Sequence, residues 1–174
     1  MENGKWKTRN IITCTVCVLL LFLAGCGFQP MYGERDSQQN VVQDLNAISI
    51  GNIPDRPGQI MRNYLIDSLY AKGRPSKPLY HLSVTVRSTE EDLGILRDTT
   101  ATRVLMTTTG NFELTDIASK QVLLKGTVQS VASFNKNSQL YGELAAQEAA
   151  QRRTIKQVSD QIVLRLGLFF SERD

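Results

Sequence analysis

Three consecutive segments between residues 80 and 134 alternate apolar with polar side chains, and this alternation limits the possible folds more than any other feature of the sequence. In the first segment, apolar and polar side chains alternate in the order Tyr80, His81, Leu82, Ser83, Val84, Thr85, Val86, Arg87. The second places on one side Val104, Met106, Thr108, Phe112 and Leu114. The third, after a turn at 116–120, places on one side Val122, Leu124, Gly126, Val128, Ala132 and Phe134. A two-residue period is typical of strands buried on one face. With a looser connection over about 89–100 and short links elsewhere, the segments predict an antiparallel meander whose other face meets water.

Two segments of helical spacing flank these strands. The first helix is predicted over 57–72, with Asp55 as its N-cap and Gly73 at its C-terminal end. The second follows a polar break at 135–138 and carries an apolar stripe of Ile155, Val158, Ile162, Leu166 and Phe169. An additional strand is predicted over 41–53, before the first helix.

The predicted order is therefore strand, helix, three strands, helix. This order indicates an α+β fold with two helices packed on one face of a four-stranded sheet. A strand-helix-strand connection is right-handed and makes its two strands parallel. Because the later strands are antiparallel, the sheet is predicted to be mixed.

The N-terminus has the three-part order of a secretory signal that ends at a lipid-modified cysteine. Three basic residues precede an apolar run at 11–23, which leads into Leu23-Ala24-Gly25-Cys26. We interpret residues 1–25 as a signal peptide and Cys26 as the residue that receives a diacylglyceryl group and an N-acyl chain such as palmitate. An uncleaved transmembrane anchor is the alternative, but a run of about a dozen residues is short for ~30 Å of hydrocarbon. Gly27 in place of aspartate favours the outer membrane over the inner.

The remaining chain has the length of one domain. Removal of 25 of the 174 residues leaves 149, which we divide into a lipidated, flexible tether at 26–40 and a single periplasm-side domain at 41–174. Three of the 20 basic residues and one of the 17 acidic residues lie in the leader, so the mature chain is almost neutral. The positive net charge is therefore no indication of nucleic-acid binding. All three cysteines lie at or before Cys26, and the domain is predicted to have no disulfide.

The motifs of enzymes and metal sites are absent from the sequence. The single histidine, His81, lies on the polar side of a strand without a nucleophile or ligand spacing beside it, and we interpret it as a solvated residue. The run Glu90-Glu91-Asp92 lacks the glycine and the spaced ligands of a calcium loop and is more typical of a solvated turn. A non-enzymatic protein without a cofactor or metal is therefore predicted.

Several basic residues near the strands and the last helix are candidates for binding phosphate groups. Guanidinium groups suit phosphate oxygens, and the candidates that precede the last helix are Arg97, Arg103 and Lys136. Three more lie on that helix, namely Arg152, Arg153 and Lys156. The alternative for each of them is an ordinary surface charge that keeps the protein soluble.

A resemblance to a known family rests on two runs of residues. The first is Gly25-Cys26-Gly27-Phe28-Gln29-Pro30-Met31-Tyr32-Gly33, and the second is Asp55-Arg56-Pro57-Gly58-Gln59 with Arg62-Asn63 in the helix that it opens. Together with the order of elements, they resemble the lipopolysaccharide-assembly lipoprotein family, LptE. The resemblance extends in pattern over the whole chain, and its most specific part is the run around the cysteine.

The resemblance implies two helices on a four-stranded sheet and a role at the outer membrane. Members plug the lumen of the β-barrel protein LptD, help it to fold, and assist insertion of lipopolysaccharide into the outer leaflet. The family is also credited with lipopolysaccharide binding by a basic residue before the third strand, where Arg97 matches, and by another near the start of the last helix. That second position has no clear match, since Leu144 or Ala145 falls near it and Lys136 lies several residues earlier.

The predicted function is therefore that of a lipid-anchored outer-membrane protein that faces the periplasm and the lumen of LptD. Its predicted partners are LptD, lipopolysaccharide and the inner leaflet of the outer membrane. Two alternatives remain open at this point. One is an auxiliary lipoprotein of another envelope lipid-transport system, which binds phospholipid or a transporter. The other is a lipid-anchored hydrolase, although the sequence offers no convergent acid and base for it.

Overall fold

The computed structural model describes residues 35–70, 73–95, 102–136 and 140–173. These residues form three helices, α1 (Arg35–Asn46), α2 (Asp55–Leu69) and α3 (Leu140–Ser171). They also form four strands, β1 (Ile48–Ile50), β2 (Tyr80–Ile95), β3 (Thr102–Asp116) and β4 (Val122–Lys136). The part of the chain from Asp36 onward is one compact unit. None of the described helices is both long enough and apolar enough to span a bilayer.

The strands form one mixed sheet in the order β1-β2-β3-β4. Strand β1 pairs with β2 in parallel over three residues, from Ile48 opposite Tyr80 to Ile50 opposite Leu82. Strands β2, β3 and β4 are antiparallel neighbours, joined in order. The predicted α+β class and the mixed sheet are therefore confirmed.

Helices α2 and α3 cover one face of the sheet, which we call the helix face. Helix α2 packs on β1 and β2, whereas α3 packs on β3 and β4. The buried side of each long strand is the side that the alternation predicted, and its fully buried members include Leu82, Val104, Met106 and Leu114. Val122 is the exception, because the register shift at Leu114/Thr115 leaves it exposed at the start of β4. The stripe of α3 is also as predicted up to Leu166, after which Phe170 rather than Phe169 is the buried aromatic residue.

Helix α3 packs closely on the sheet at Gly110. A Cβ atom on this residue would lie 2.6 Å from Cγ1 of Val158, so the absence of a side chain is what allows the contact. The next row on the helix face lies two residues along each strand from the row of Gly110 and consists of Ser88, Thr108 and Ser130, which are paired in register. Thr108 Oγ1 lies 2.7 Å from Thr154 Oγ1 of α3, and Ser130 donates a hydrogen bond to Gln157. This hydroxyl row separates the main core from a smaller apolar cluster around Met106, Phe134 and Ala150.

Some predicted boundaries are wrong. The first strand begins at Ile48 rather than at 41, because residues 35–46 are helical and pack Val41 and Leu45 on the core. Helix α2 ends at Leu69, and its N-cap is Pro54 with no side-chain hydrogen bond, while Asp55 has a φ of 66°. Residues 89–95, predicted as a loose connection, continue β2 because they pair with β3. Of the predicted tether, residues 26–34 lie outside the described residues and 35–40 belong to α1.

Candidate interaction surface on the open face of the sheet

The face of the sheet opposite the helices, which we call the open face, is polar and has no described element over it. Cross-strand register places in one row Ser83, Glu113 and Lys125, in the next Thr85, Asn111 and Thr127, and in the next Arg87, Thr109 and Gln129. Most of these side chains are exposed. Hydroxyl and amide groups dominate this surface, so it can form many hydrogen bonds with a partner while carrying little net charge.

A shallow depression of about 310 Å³ lies within the first two of these rows. Its lining combines six polar residues with Phe112 and Gly126, and the polar residues are Ser83, Thr85, Asn111, Glu113, Lys125 and Thr127. Thr127 Oγ1 donates a hydrogen bond of 2.8 Å to Asn111 Oδ1, which fixes the amide. The depression is a site of hydrogen-bonding capacity and offers neither a nucleophile with a base nor a deep apolar cavity.

Arg103, one of the predicted phosphate-binding residues, lies on the open face. It is exposed, and its Nη2 donates a hydrogen bond of 3.0 Å to Ser133 Oγ on β4. One neutral hydrogen bond orients the guanidinium group without neutralising it. Arg103 therefore keeps its charge and most of its donors for an anionic ligand.

Lys136, another of these candidates, lies on the opposite side of the sheet. It pairs with Thr102 in register and shares the helix face with Val104 and Phe134. Its Nζ lies 3.0 Å from Asp92 Oδ1. That hydrogen bond is the largest cause that raises the pKa of Lys136, and the nearby carboxylates of Glu143 and Glu90 act in the same direction. The structure thus separates Lys136 from Arg103 and gives Lys136 an acidic partner.

The remaining sequence candidates do not form one cluster. Arg97 and Cys26 lie outside the described residues. On α3, Arg152 and Arg153 are exposed, while Lys156 forms an ion pair with Asp160 at 2.8 Å. His81 is exposed, and its Nδ1 lies 3.1 Å from Ser49 Oγ.

The acidic run at 90–92 is part of β2, not the turn that the sequence predicts. Because side chains alternate along a strand, Glu90 and Asp92 lie on the helix face and Glu91 on the open face. Glu90 accepts a hydrogen bond from Gln147, and Asp92 pairs with Lys136. No group of three possible metal ligands occurs among residues 35–70, 73–95, 102–136 and 140–173.

Sequence reasoning missed the role of Asp92 as the partner of Lys136. The two residues are far apart in the chain, and they meet only because β2 and β4 both pair with β3. The alternation of β2, continued past Arg87 to Asp92, is the sequence signal that places Asp92 on the same face as Val84 and Val86. Without the register of the third strand, this signal does not identify a partner.

Comparison with known families decides how this architecture is classified. Residues 45–166 match the profile of the LptE family, described as lipopolysaccharide-assembly, and this range contains almost the whole described fold. The chain belongs to the LptE family. The resemblance seen in the sequence is therefore confirmed, and with it the assignment to lipopolysaccharide assembly at the level of the family. Among curated proteins, none matches the sequence significantly.

One of three similar solved structures shares the fold of this chain, and all three are of low sequence identity. A crystal structure of a protein from Caulobacter crescentus assigned as a lipoprotein is 22% identical, with a TM-score of 0.60, and the match covers 76% of this chain and 97% of that one. A minor lipoprotein from Acinetobacter baumannii is 16% identical with a TM-score of 0.48, covering 70% and 90%. Rare lipoprotein B from Shewanella oneidensis is 9% identical with a TM-score of 0.46, covering 68% and 89%.

Proposed function

We propose that this LptE-family protein is an outer-membrane lipoprotein that plugs the β-barrel protein LptD, helps it to assemble and assists insertion of lipopolysaccharide into the outer leaflet. The observation that carries the proposal is the family match over residues 45–166, which includes all four strands, α2 and most of α3. The plug is a binding function, so it needs no catalytic group. It needs a rigid body with a surface that a barrel lumen accepts.

The open face of the sheet supports this role physically. The interior of a large outer-membrane barrel is polar, in contrast to its lipid-facing surface. A face of hydroxyl and amide groups such as Thr85, Asn111, Thr127 and Gln129 matches such a lining by hydrogen bonding, directly or through water. The threonine and asparagine side chains among them are short, so they lose little conformational entropy when they are immobilised.

Lipidation of Cys26 supplies the membrane attachment in this proposal. Two or more acyl chains on one residue anchor a protein stably, whereas a single chain binds reversibly. The anchor restricts the domain to the inner leaflet of the outer membrane and raises its local concentration at the periplasmic mouth of the barrel. Residues 26–34 then connect the anchor to α1.

Arg103 is the stronger of the two described candidates for contact with lipopolysaccharide. It is exposed, charged and held by one neutral hydrogen bond, so a phosphate oxygen finds free donors there. Lys136 already has Asp92 at 3.0 Å, and an anion must displace that carboxylate to bind. Arg97 is six residues before Arg103 and remains a candidate on the sequence alone.

Copurification of the full-length protein tests the proposal. The protein is expressed with a C-terminal tag in a Gram-negative host, the outer membrane is solubilised gently, and bound proteins are identified and quantified. The expected result is a large barrel in a ratio near one to one, lost with the outer-membrane location when Cys26→Ser removes the lipid. An inner-membrane transporter in place of the barrel would instead establish an auxiliary lipoprotein of another lipid-transport system.

The lipopolysaccharide contact has a separate test with matched charges. Purified lipopolysaccharide is titrated into the protein, and Arg103→Glu is compared with Arg152→Glu, which makes the same charge change on the exposed side of α3. We expect Arg103→Glu to weaken binding at least fivefold and Arg152→Glu to change it less than twofold. Equal losses for the two variants would mean that net charge alone attracts the lipid.

A further inference from the structure

Among the residues that the structure describes, none pairs with the backbone groups along the outer edge of β4. Strand β4 is last in the sheet order and pairs only with β3. The opposite edge differs, because there β1 covers the first residues of β2. A free strand edge is a template on which another strand can pair.

The register identifies the residues whose backbone groups point outward. Just beyond the ends of β3 and β2, Ile117 N donates to Leu79 O, so this pair is of the hydrogen-bonded kind, and such pairs recur at every second residue along the two strands. The odd-numbered residues of β3 therefore bond to β2, and the even-numbered ones, from Val104 to Leu114, bond to the even-numbered residues of β4. The N–H and C=O groups of five β4 residues then face outward, namely Lys125, Thr127, Gln129, Val131 and Ser133.

These five residues form an edge about 27 Å long, at ~3.4 Å per residue. Within the described part of the chain, no other group hydrogen-bonds to their backbone. The segment contains no proline, and its pairing with β3 has no bulge, because the one register shift lies at Leu114/Thr115. The usual devices that keep an edge strand from pairing are thus largely missing, and Lys125 is the single charge on it.

A row of α3 residues borders this edge. Gln157 accepts a hydrogen bond from Ser130, which places its side of the helix next to β4. Gln161, Leu164 and Leu168 follow Gln157 at spacings of three and four, so they lie along the same side. Leu164 is 62% exposed and Leu168 is 53% exposed. A strand added to β4 would cover these two leucines.

The border of the edge is also basic. Arg165 lies on this side of α3, since a Cβ on Gly126 of β4 would be 3.2 Å from its Nη1. Arg153 precedes Gln157 by four residues and lies on the same side. Strand β4 and this row of α3 contain no acidic residue. Asp160 lies beside the row, three residues after Gln157, and is paired with Lys156 at 2.8 Å.

From the free edge, the exposed leucines and the basic border, we propose that the outer edge of β4 binds an extended segment of the barrel partner by strand addition. The segment carries apolar side chains toward Leu164 and Leu168 and acidic side chains toward Arg165 and Lys125. Backbone hydrogen bonds give such a contact its affinity, and the alternating side chains give it specificity. The inference rests on the proposed function, because the barrel supplies the segment.

A second copy of this chain fits the edge less well. Two β4 strands paired about a two-fold axis would bring two borders of equal charge together, each with Arg153, Arg165 and Lys125. Like charges placed side by side oppose association. An acidic segment removes this repulsion and neutralises the border.

Residue-resolved amide hydrogen exchange of the full-length protein, free and in the copurified complex, tests the proposal. We expect the outward amides of Thr127, Gln129 and Val131 to exchange at least tenfold more slowly in the complex. The inward amides of Val128 and Ser130 are the internal control, because β3 already protects them in both samples. Equal exchange of the outward amides in both samples overturns strand addition, even if the barrel copurifies and the plug function stands.

A paired variant tests the border. Arg165→Glu with Leu168→Asp changes two exposed residues of α3 beside the edge, and Arg152→Glu changes the opposite side of the same helix. We expect the double variant to retain at least fivefold less barrel and to lose the protection of Gln129, and the control to keep both. Unchanged retention and protection in the double variant overturns the inference. If the Gln129 amide is protected in the isolated protein, and this protection rises with protein concentration, the edge pairs with a second copy of the chain. That result also overturns the inference. Absence of any barrel refutes both proposals.

Discussion

Substitution of Gly110 by alanine tests the close contact between α3 and the sheet at this residue. The new Cβ would lie 2.6 Å from Cγ1 of Val158, about 1 Å closer than carbon atoms at optimal contact. Val158 is fully buried, so relief requires a shift of α3 or an unfavourable rotamer, which costs about 1–3 kcal/mol. The lower entropy of alanine in the unfolded chain offsets about 0.4–1 kcal/mol. We expect a net loss of about 1–2 kcal/mol in the free energy of unfolding.

Val158→Ala supplies the partner variant for a double-mutant cycle. Alone it removes buried methyl groups and leaves a cavity, at a cost of about 2–3 kcal/mol. In the double variant, the Cβ of residue 110 occupies the vacated space, so the total loss is expected to be at least ~1 kcal/mol smaller than the sum of the single losses.

Urea denaturation followed by far-ultraviolet circular dichroism measures these changes. Gly167→Ala is the control, because a Cβ there meets no atom within 4 Å and alanine is favoured in a helix by up to ~1 kcal/mol. We expect this control to be neutral or stabilising. A Gly110→Ala variant as stable as the control, or losses that simply add in the cycle, would refute the close contact at Gly110.

Two further predictions concern hydrogen bonds in the sheet. Thr154→Val removes the buried hydroxyl that lies 2.7 Å from Thr108 Oγ1 and is expected to lower the free energy of unfolding by about 1–2 kcal/mol. The double variant with Thr108→Val is expected to recover part of this loss. If the losses of the two single variants simply add in denaturation curves, the contact is contradicted. Asp116 accepts hydrogen bonds from the backbone N–H and the hydroxyl of Ser119, and these bonds lower its pKa from the ordinary 3.8. Because the folded-state pKa is lowered, the stabilisation is complete above pH 3.8 and is lost as the pH falls through the lowered value. Asp116→Ala should therefore destabilise the protein at pH 6 and have a smaller effect at pH 2, as measured by thermal melts at each pH. An equal effect at the two pH values would show that the charge of Asp116 does not contribute to stability.

The candidate surface was only partly predictable from the sequence. Alternation placed Thr85 on the wet side of β2 and Thr108 on the buried side of β3, since the period of a strand is fixed at two residues. The sequence also made Arg103 a candidate for phosphate binding, which stays a prediction. It did not reveal that Lys136 meets Asp92, because that contact depends on the register of β4 against β3 and of β3 against β2.

The boundary at residue 48 shows why local pattern was insufficient near the N-terminus. Residues 41–47 contain two valines, which favour a strand by propensity, but also Val41 and Leu45 at helical spacing. Because Val41 and Leu45 pack against the core from a helix, this packing stabilises the helical conformation over the strand. Likewise, residues 89–95 are polar enough for a loop, and pairing with β3 made them a strand.

The sequence by itself determined the α+β class, the meander and the apolar stripe of α3, because periodicity follows from the backbone geometry of each element. Only the tertiary structure decided which residues meet across elements: the contact of Gly110 with Val158, the hydroxyl row beneath Thr154, and the free edge of β4 beside Leu164 and Leu168. Those contacts join residues that are distant in the chain, and they depend on strand order, register and helix position, which no local pattern encodes.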